Sequence, residues 1–120
     1  MKIFISHSRA FNYREELYKP LRNSELNKKH EIIFPHEDEQ ERETKDSIRD
    51  ADLVVAEVSF PSTGEGIELG WANASYVSII CFYKSGSKIS NALQHVTADI
   101  FVYDSMDSMI AKITEFVDAL

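Results

Sequence analysis

The chain has 120 residues, of which 43% are hydrophobic and 28% are charged, and its formal net charge is −7. This length and composition predict a single domain over residues 1–120, and the one cysteine excludes a disulfide framework. The negative charge disfavours binding of a nucleic-acid polymer, although backbone amides can still bind a small anion.

Five short apolar runs alternate with helical patterns along the chain. The runs predict strands at residues 2–6, 31–34, 52–58, 77–83 and 100–103. Because consecutive residues in these runs are apolar, we expect strands that are buried on both faces, as in a parallel sheet.

Helices are expected between the strands. The spacing of apolar residues predicts them around 11–26, 44–51, 63–74 and 89–94, and a last helix that begins after a cap at Asp104 or Ser105. Pro20 should kink or divide the first of these. The alternation predicts an α/β, doubly wound, flavodoxin-like three-layer sandwich whose five-stranded parallel sheet has the order 2-1-3-4-5.

The segment after the third predicted strand holds three of the four glycines, Gly64, Gly66 and Gly70. A strand, a glycine-containing turn and the start of a helix together form a site where backbone amides can bind an anion. A purely structural explanation is also open. Ser62 and Glu65 have the spacing of a capping box, and Gly70 could allow the helix to pack close to the sheet.

The residues from Asp52 to Ala72 resemble the core motif of the nucleoside 2-deoxyribosyltransferase family. The likeness is closest to the branch of 2'-deoxynucleoside 5'-phosphate N-hydrolases, in which a strand ending in A-E-V is followed by P-S-x-G-x-G-x-E-L-G-x-A. The resemblance implies that the chain is an enzyme that cleaves or transfers the N-glycosidic bond of a 2'-deoxynucleoside or its 5'-monophosphate, and that it needs no cofactor.

By motif position, the resemblance makes Glu68 the nucleophile that attacks the anomeric carbon, expels the base and forms a glycosyl-enzyme ester. Ser62, Gly64 and Gly66 would hold the sugar or the phosphate. Ser90 would reach the phosphate from the neighbouring subunit of a homodimer or higher homo-oligomer. A neutral serine at position 62 favours a nucleotide substrate, because a carboxylate there would repel phosphate.

Three positions depart from the family pattern. Thr44 stands where the family has an aspartate, and Asp46, two residues further on, is the candidate catalytic substitute. The first strand ends without the usual glycine and aromatic residue, and Ser6 and His7 are the candidate substrate-binding residues there. Glu65 occupies a site between the paired glycines that is usually apolar.

Two alternatives stay open at this stage. The change to Thr44 motivates a catalytically weak nucleotide-binding or sensing module of the same fold. The opening run Ile3–Ser8 also resembles TIR domains, although over six residues only. The histidines lack metal-ligand spacing, so we expect no metal site. The chain has no apolar run long enough to span a membrane and no basic-then-apolar leader, so we expect a cytoplasmic protein without membrane contacts.

Overall fold

The structure, a computed structural model, describes residues 1–38 and 43–120. A five-stranded sheet runs through it, formed by β1 (Lys2–His7), β2 (Glu31–Ile33), β3 (Leu53–Glu57), β4 (Ser78–Lys84) and β5 (Ile100–Tyr103). The helices are α1 (Lys19–Arg22), α2 (Glu25–Lys29), α3 (Lys45–Arg49), α4 (Thr63–Ala74) and α5 (Met106–Asp118). A π-helical segment, Arg14–Tyr18, precedes α1, and a 3₁₀ helix, Asn91–His95, precedes β5.

All strand pairs are parallel, and their order is β2-β1-β3-β4-β5. The predicted fold and sheet order are therefore confirmed. The winding reverses between β1 and β3, which pair from Ile3 with Leu53 to His7 with Glu57. In doubly wound sheets, the crevice at the carboxyl ends of such strands is where ligands bind.

Two apolar layers cover the sheet, because successive strand residues face opposite sides. Ile3 and Ile5 face a core that includes Met109 and Ile113 of α5, whereas Phe4 faces a core that includes Leu69 of α4. The consecutive apolar residues thus mark strands buried on both faces, as expected. Among the described residues, no helix has both the length and the apolar character that crossing a membrane requires.

Element boundaries differ from the predictions mainly in the first half of the chain. The predicted helix around 11–26 is three short pieces, and the geometry changes from π to α at Lys19, next to Pro20. Since proline has no N–H to donate, a regular α-helix cannot continue through this position unaltered. The strand β1 extends one residue beyond its predicted end, to His7, which brings that side chain to the edge of the crevice.

Helix α4 has the predicted bounds, but Gly70 does not serve the predicted purpose. A Cβ atom at Gly70 would meet no atom within 4 Å, so the helix does not need glycine there to approach the sheet. The buried residues of α4, which face the sheet, are instead Glu65, Leu69 and Ala72. The expectation of close packing at Gly70 is therefore wrong.

The carboxyl ends of the last three strands are joined through Glu57, whose side chain is fully buried. Its carboxylate accepts hydrogen bonds from the backbone N–H of Ser59 (2.7 Å), from the Ser59 hydroxyl (3.0 Å) and from the hydroxyl of Tyr103. The Ser59 hydroxyl also accepts from the N–H of Lys84 at 2.8 Å. These bonds tie β3, β4 and β5 together beside the start of α4.

Candidate active site

A cavity of about 420 Å³ and another of about 530 Å³ lie on either side of the turn between β3 and α4. The larger one, called here the main cavity, lies at the carboxyl ends of β1 and β3, where the winding reverses. Its lining includes His7, Arg9, Thr44, Gly64 and Glu68. The position is the one that the fold predicts for a ligand.

Glu68 is held by hydrogen bonds to both of its carboxylate oxygens. The Ser6 hydroxyl donates to Oε1 at 2.8 Å, and the Thr44 hydroxyl donates to Oε2 at 2.6 Å. Burial raises the pKa of Glu68, whereas these two hydrogen bonds and the charge of Arg9 act in the opposite direction. The two hydroxyls therefore fix the orientation of the carboxyl group and favour its ionised form.

Thr44 takes the place next to Glu68 for which Asp46 was the candidate. Its side chain is buried. The carboxylate of Asp46 lies 3.2 Å from Arg49 instead, and its side chain is 79% exposed. Asp46 belongs to the first turn of α3 and points to solvent, so the structure does not bring it to Glu68. Thr44 replaces the aspartate of the family pattern, but its hydroxyl supplies one of the two hydrogen bonds to Glu68.

His7 lies in the wall of the main cavity and is nearly fully buried. Its Nδ1 is 2.8 Å from the carbonyl oxygen of Ser8, and its Nε2 is 2.5 Å from the hydroxyl of Tyr18. Burial lowers the pKa of His7 to about 4, so the ring is neutral at pH 7, donating from Nδ1 and accepting at Nε2. Because the ring is neutral and both of its nitrogens are hydrogen-bonded within the protein, His7 lines the cavity but does not offer a positive charge to a phosphate.

Arg9 is the cationic residue of the main cavity whose charge reaches Glu68. Its guanidinium donates to Nδ1 of His36 at 2.8 Å. The Tyr18 hydroxyl accepts from the backbone N–H of His36 at 3.1 Å. Because the same hydroxyl bonds to His7, Tyr18 links His36 to His7. No sequence motif indicates Tyr18, because its role depends on how the π-helical segment folds against β1.

Ser62 is the N-cap of α4, and its hydroxyl accepts from the backbone N–H of Glu65 at 3.3 Å. This is one half of the predicted capping box. Ser62 borders both cavities. The first N–H groups of the helix, those of Thr63 and Gly64, have no acceptor within the helix and can receive an anion.

The second cavity lies on the other side of the same turn. It is lined by Gly66 and Ser90 together with Ser62 and several apolar residues. The Ser90 hydroxyl caps the 3₁₀ helix by accepting from the N–H of Ala92 at 3.2 Å. The predicted site residues are thus divided, with Gly64 and Glu68 on one side and Gly66 and Ser90 on the other. Action of Ser90 from a partner subunit stays a prediction.

Glu65 does not complete the capping box that its spacing from Ser62 left open. Its side chain is buried, with 4% exposed, and its Oε2 has no hydrogen-bond partner among residues 1–38 and 43–120. Burial, together with the charges of Glu57 and Glu68, raises its pKa to about 9. The spacing of residues 65, 69 and 72 along one helix face was the signal that would have indicated its burial.

Comparisons with known proteins bear on this site. No protein-family model matches the chain. A curated protein of Syntrophotalea carbinolica, named provisionally as 2'-deoxynucleoside 5'-phosphate N-hydrolase 1, is 49% identical over 41 residues, which make up 34% of this chain and 29% of that relative. The match therefore spans less than a third of the relative's length.

Two solved structures share the fold over nearly the whole chain. One is the CMP N-glycosidase BcmB of Clostridium botulinum, with 21% identity, a TM-score of 0.68, and coverage of 95% of this chain and 99% of that one. The other is a 2-deoxyribosyltransferase of Leishmania mexicana, with 20% identity, a TM-score of 0.68, and coverage of 95% and 97%.

The chain is thus an α/β protein of the flavodoxin-like class, with a cavity at the switch point of its sheet. Within that class, it resembles the nucleoside 2-deoxyribosyltransferase family, by local sequence similarity to a named N-hydrolase and by fold. Among residues 1–38 and 43–120, the structure shows no cluster of side chains suited to a metal ion.

Proposed function

We propose that the chain is an enzyme that cleaves or transfers the N-glycosidic bond of a 2'-deoxynucleoside or its 5'-monophosphate, with Glu68 as the nucleophile. The observation that carries the proposal is the Glu68 carboxyl group, held by Ser6 and Thr44 in the wall of the main cavity. The names of the relatives, an N-hydrolase, an N-glycosidase and a deoxyribosyltransferase, support the same class of reaction.

In this proposal, ionised Glu68 attacks the anomeric carbon as the bond to the base breaks. The electron pair of that bond leaves with the base nitrogen, which takes up a proton, and a glycosyl ester forms on Glu68. Water or a second base then attacks the anomeric carbon and releases the carboxylate. The hydroxyls of Ser6 and Thr44 hold the carboxyl group in one orientation through both steps.

The groups around Glu68 indicate which substrate the site would bind. The N–H groups at the start of α4, the Ser62 hydroxyl and the charge of Arg9 suit a sugar that carries a 5'-phosphate. Gly64 and Gly66 would let that ligand approach the backbone, since a Cβ at either position faces open space. We expect Ser90 to reach the phosphate from the neighbouring subunit of a homodimer or higher homo-oligomer.

A second candidate is a nucleotide-binding module with weak or no turnover. The observation in its favour is Thr44, which places a hydroxyl beside Glu68 where the resemblance predicts a second carboxylate. Such a module would bind a deoxynucleoside monophosphate without releasing its base.

The test is to incubate the protein with each deoxynucleoside and each deoxynucleoside monophosphate and to follow free base by chromatography. We expect Glu68→Gln to lower the rate by more than about 10³-fold, because the amide cannot act as the nucleophile. Asp46→Asn should keep nearly the wild-type rate, since Asp46 pairs with Arg49. Equal rates for the wild type and Glu68→Gln would overturn the mechanism, and binding without base release would favour the second candidate.

A further inference from the structure

The start of α4 contains an acidic side chain in a position where helices normally bury apolar groups. Glu65, Leu69 and Ala72 form the face of α4 that turns toward the sheet, and all three are buried. Within the part of the chain that the structure describes, Oε2 of Glu65 has no hydrogen-bond partner. Since an unpaired buried polar atom is costly, its presence at this point calls for a functional reason.

The charges around Glu65 disfavour its ionisation. Glu57 faces it from the end of β3, and Glu68 faces it from its own helix. In β4, the thiol of Cys81 is neutral, because burial and the charges of Glu65 and Asp99 raise its pKa to about 12. His7 of β1, in the same cavity wall, is neutral as well. With a pKa of about 9, Glu65 is a neutral acid at pH 7.

Glu65 also lies where it can act on a ligand. It borders the main cavity and the second cavity, between the N-cap Ser62 and Gly66. The N–H groups of Thr63 and Gly64, which can receive an anion, belong to the same turn of the chain. An anion held there would face a neutral acid when Glu65 is protonated and a third carboxylate when it is not.

We propose that Glu65 determines specificity at this site by admitting a phosphate monoester at the start of α4 as a neutral acid and excluding it as a carboxylate. The neutral group can donate a hydrogen bond to a phosphate oxygen, whereas the carboxylate repels the dianion. The inference rests on the proposed function, because it assigns the 5'-substituent of the same substrate. A free nucleoside carries no charge at that position and should be insensitive to Glu65.

The experiment measures the affinities of deoxyadenosine 5'-monophosphate and of deoxyadenosine by calorimetry, at about pH 7 and about pH 10, with base release followed in parallel. Adenine does not titrate in this range, and the phosphate stays a dianion above its second pKa of about 6. For the wild type, we expect the preference for the monophosphate over the nucleoside to fall about tenfold or more between the two pH values. For Glu65→Gln, which cannot ionise, the preference should stay constant.

The matched control is Asp107→Asn, which removes an exposed carboxylate from the first turn of α5 and should behave like the wild type. Circular dichroism at both pH values verifies that each variant is folded. A preference that is constant in the wild type, or that falls equally in Glu65→Gln, would overturn the inference even if base is released. A pH-dependent preference without base release would support the inference and contradict the proposed enzyme. Failure of both ligands to bind at either pH would overturn both.

Discussion

Helices α4 and α5 are of nearly equal length, but they follow local sequence rules to different degrees. Helix α5 begins with a complete capping box, formed by Ser105 and Ser108, and buries Met109, Ile113 and Val117 on one face. Helix α4 begins with half of such a box and includes a buried carboxyl group in the face that packs on the sheet.

This difference between the two helices indicates that α5 contributes to stability, whereas α4 also carries functional residues. Every local feature of α5 agrees with its packing, as expected of an element selected for stability. In α4 the departures occur at Glu65 and Glu68, where two carboxyl groups one turn apart both have raised pKa values. Departures of this kind concentrate at functional sites, so α4 is the helix on which the chemistry should depend.

The largest expected effect on folding is in α5. Replacing Ile113 by alanine leaves a cavity in the core and should lower the free energy of unfolding by about 3 kcal/mol, measured by urea denaturation. The base-release rate per folded molecule should be unchanged. A selective loss of turnover in this variant would contradict the division of roles between the two helices.

Removal of the Glu65 carboxyl group should stabilise the protein increasingly as the pH rises. Because the pKa is raised in the folded state, folding is favoured while Glu65 is protonated, and stability falls between the unfolded pKa of about 4.3 and the folded value of about 9. Glu65→Gln lacks this loss, so its melting temperature relative to the wild type should increase by more than about 4 °C between about pH 5 and pH 9. A constant difference would show that Glu65 is not protonated in the folded protein.

Thr44 offers a test of how Glu68 is held. Thr44→Val removes the hydroxyl donor to Oε2 and should lower kcat/KM about tenfold. It should also raise the pKa of Glu68, which moves the acid side of the pH–rate profile to higher pH, because the ionised form loses a donor. Thr44→Ser keeps the hydroxyl and is the matched control. A lower rate with an unmoved pH profile would indicate a packing role only.

The smallest expected effects compare the two caps. Ser105→Ala should lower the free energy of unfolding by about 1 kcal/mol and leave catalysis unchanged. Ser62→Ala should have less effect on stability, because its bond to the N–H of Glu65 is long at 3.3 Å, but it should raise KM for a monophosphate substrate. If catalysis were impaired by Ser105→Ala and not by Ser62→Ala, the proposed division of roles between α5 and α4 would be wrong.

The sequence predicted the features of this fold that depend on local periodicity. The sheet order and the bounds of α4 follow from apolar spacing and N-cap chemistry, and the structure confirms them. Of the two predicted caps of α5, Asp104 and Ser105, the structure shows Ser105. The bonds from Ser6 and Thr44 to Glu68 could not be predicted, since they join residues 62 and 24 positions apart in the chain. Such contacts are set by tertiary packing rather than by spacing.

The errors have physical causes too. Asp46 is the candidate because it lies two residues beyond Thr44, where the family has an aspartate, but the short helix α3 turns Asp46 to solvent. The spacing of Glu65 from Ser62 suits a capping box, but the same residue also falls on the buried face of α4. Where two local patterns overlap at one position, packing decides between them.

The hydrogen bonds around Glu57 have a consequence for how the protein adapts to a ligand. They join the carboxyl ends of β3, β4 and β5 to one another, so we expect this end of the sheet to keep its shape when a ligand binds. The first turn of α4 is held less firmly, because the bond from the Glu65 N–H to Ser62 is long at 3.3 Å and Oε2 of Glu65 has no hydrogen-bond partner among the described residues. A ligand that needs more room should therefore shift the first turn of α4, while the ends of β3, β4 and β5 keep their positions and Glu68 stays bonded to Ser6 and Thr44.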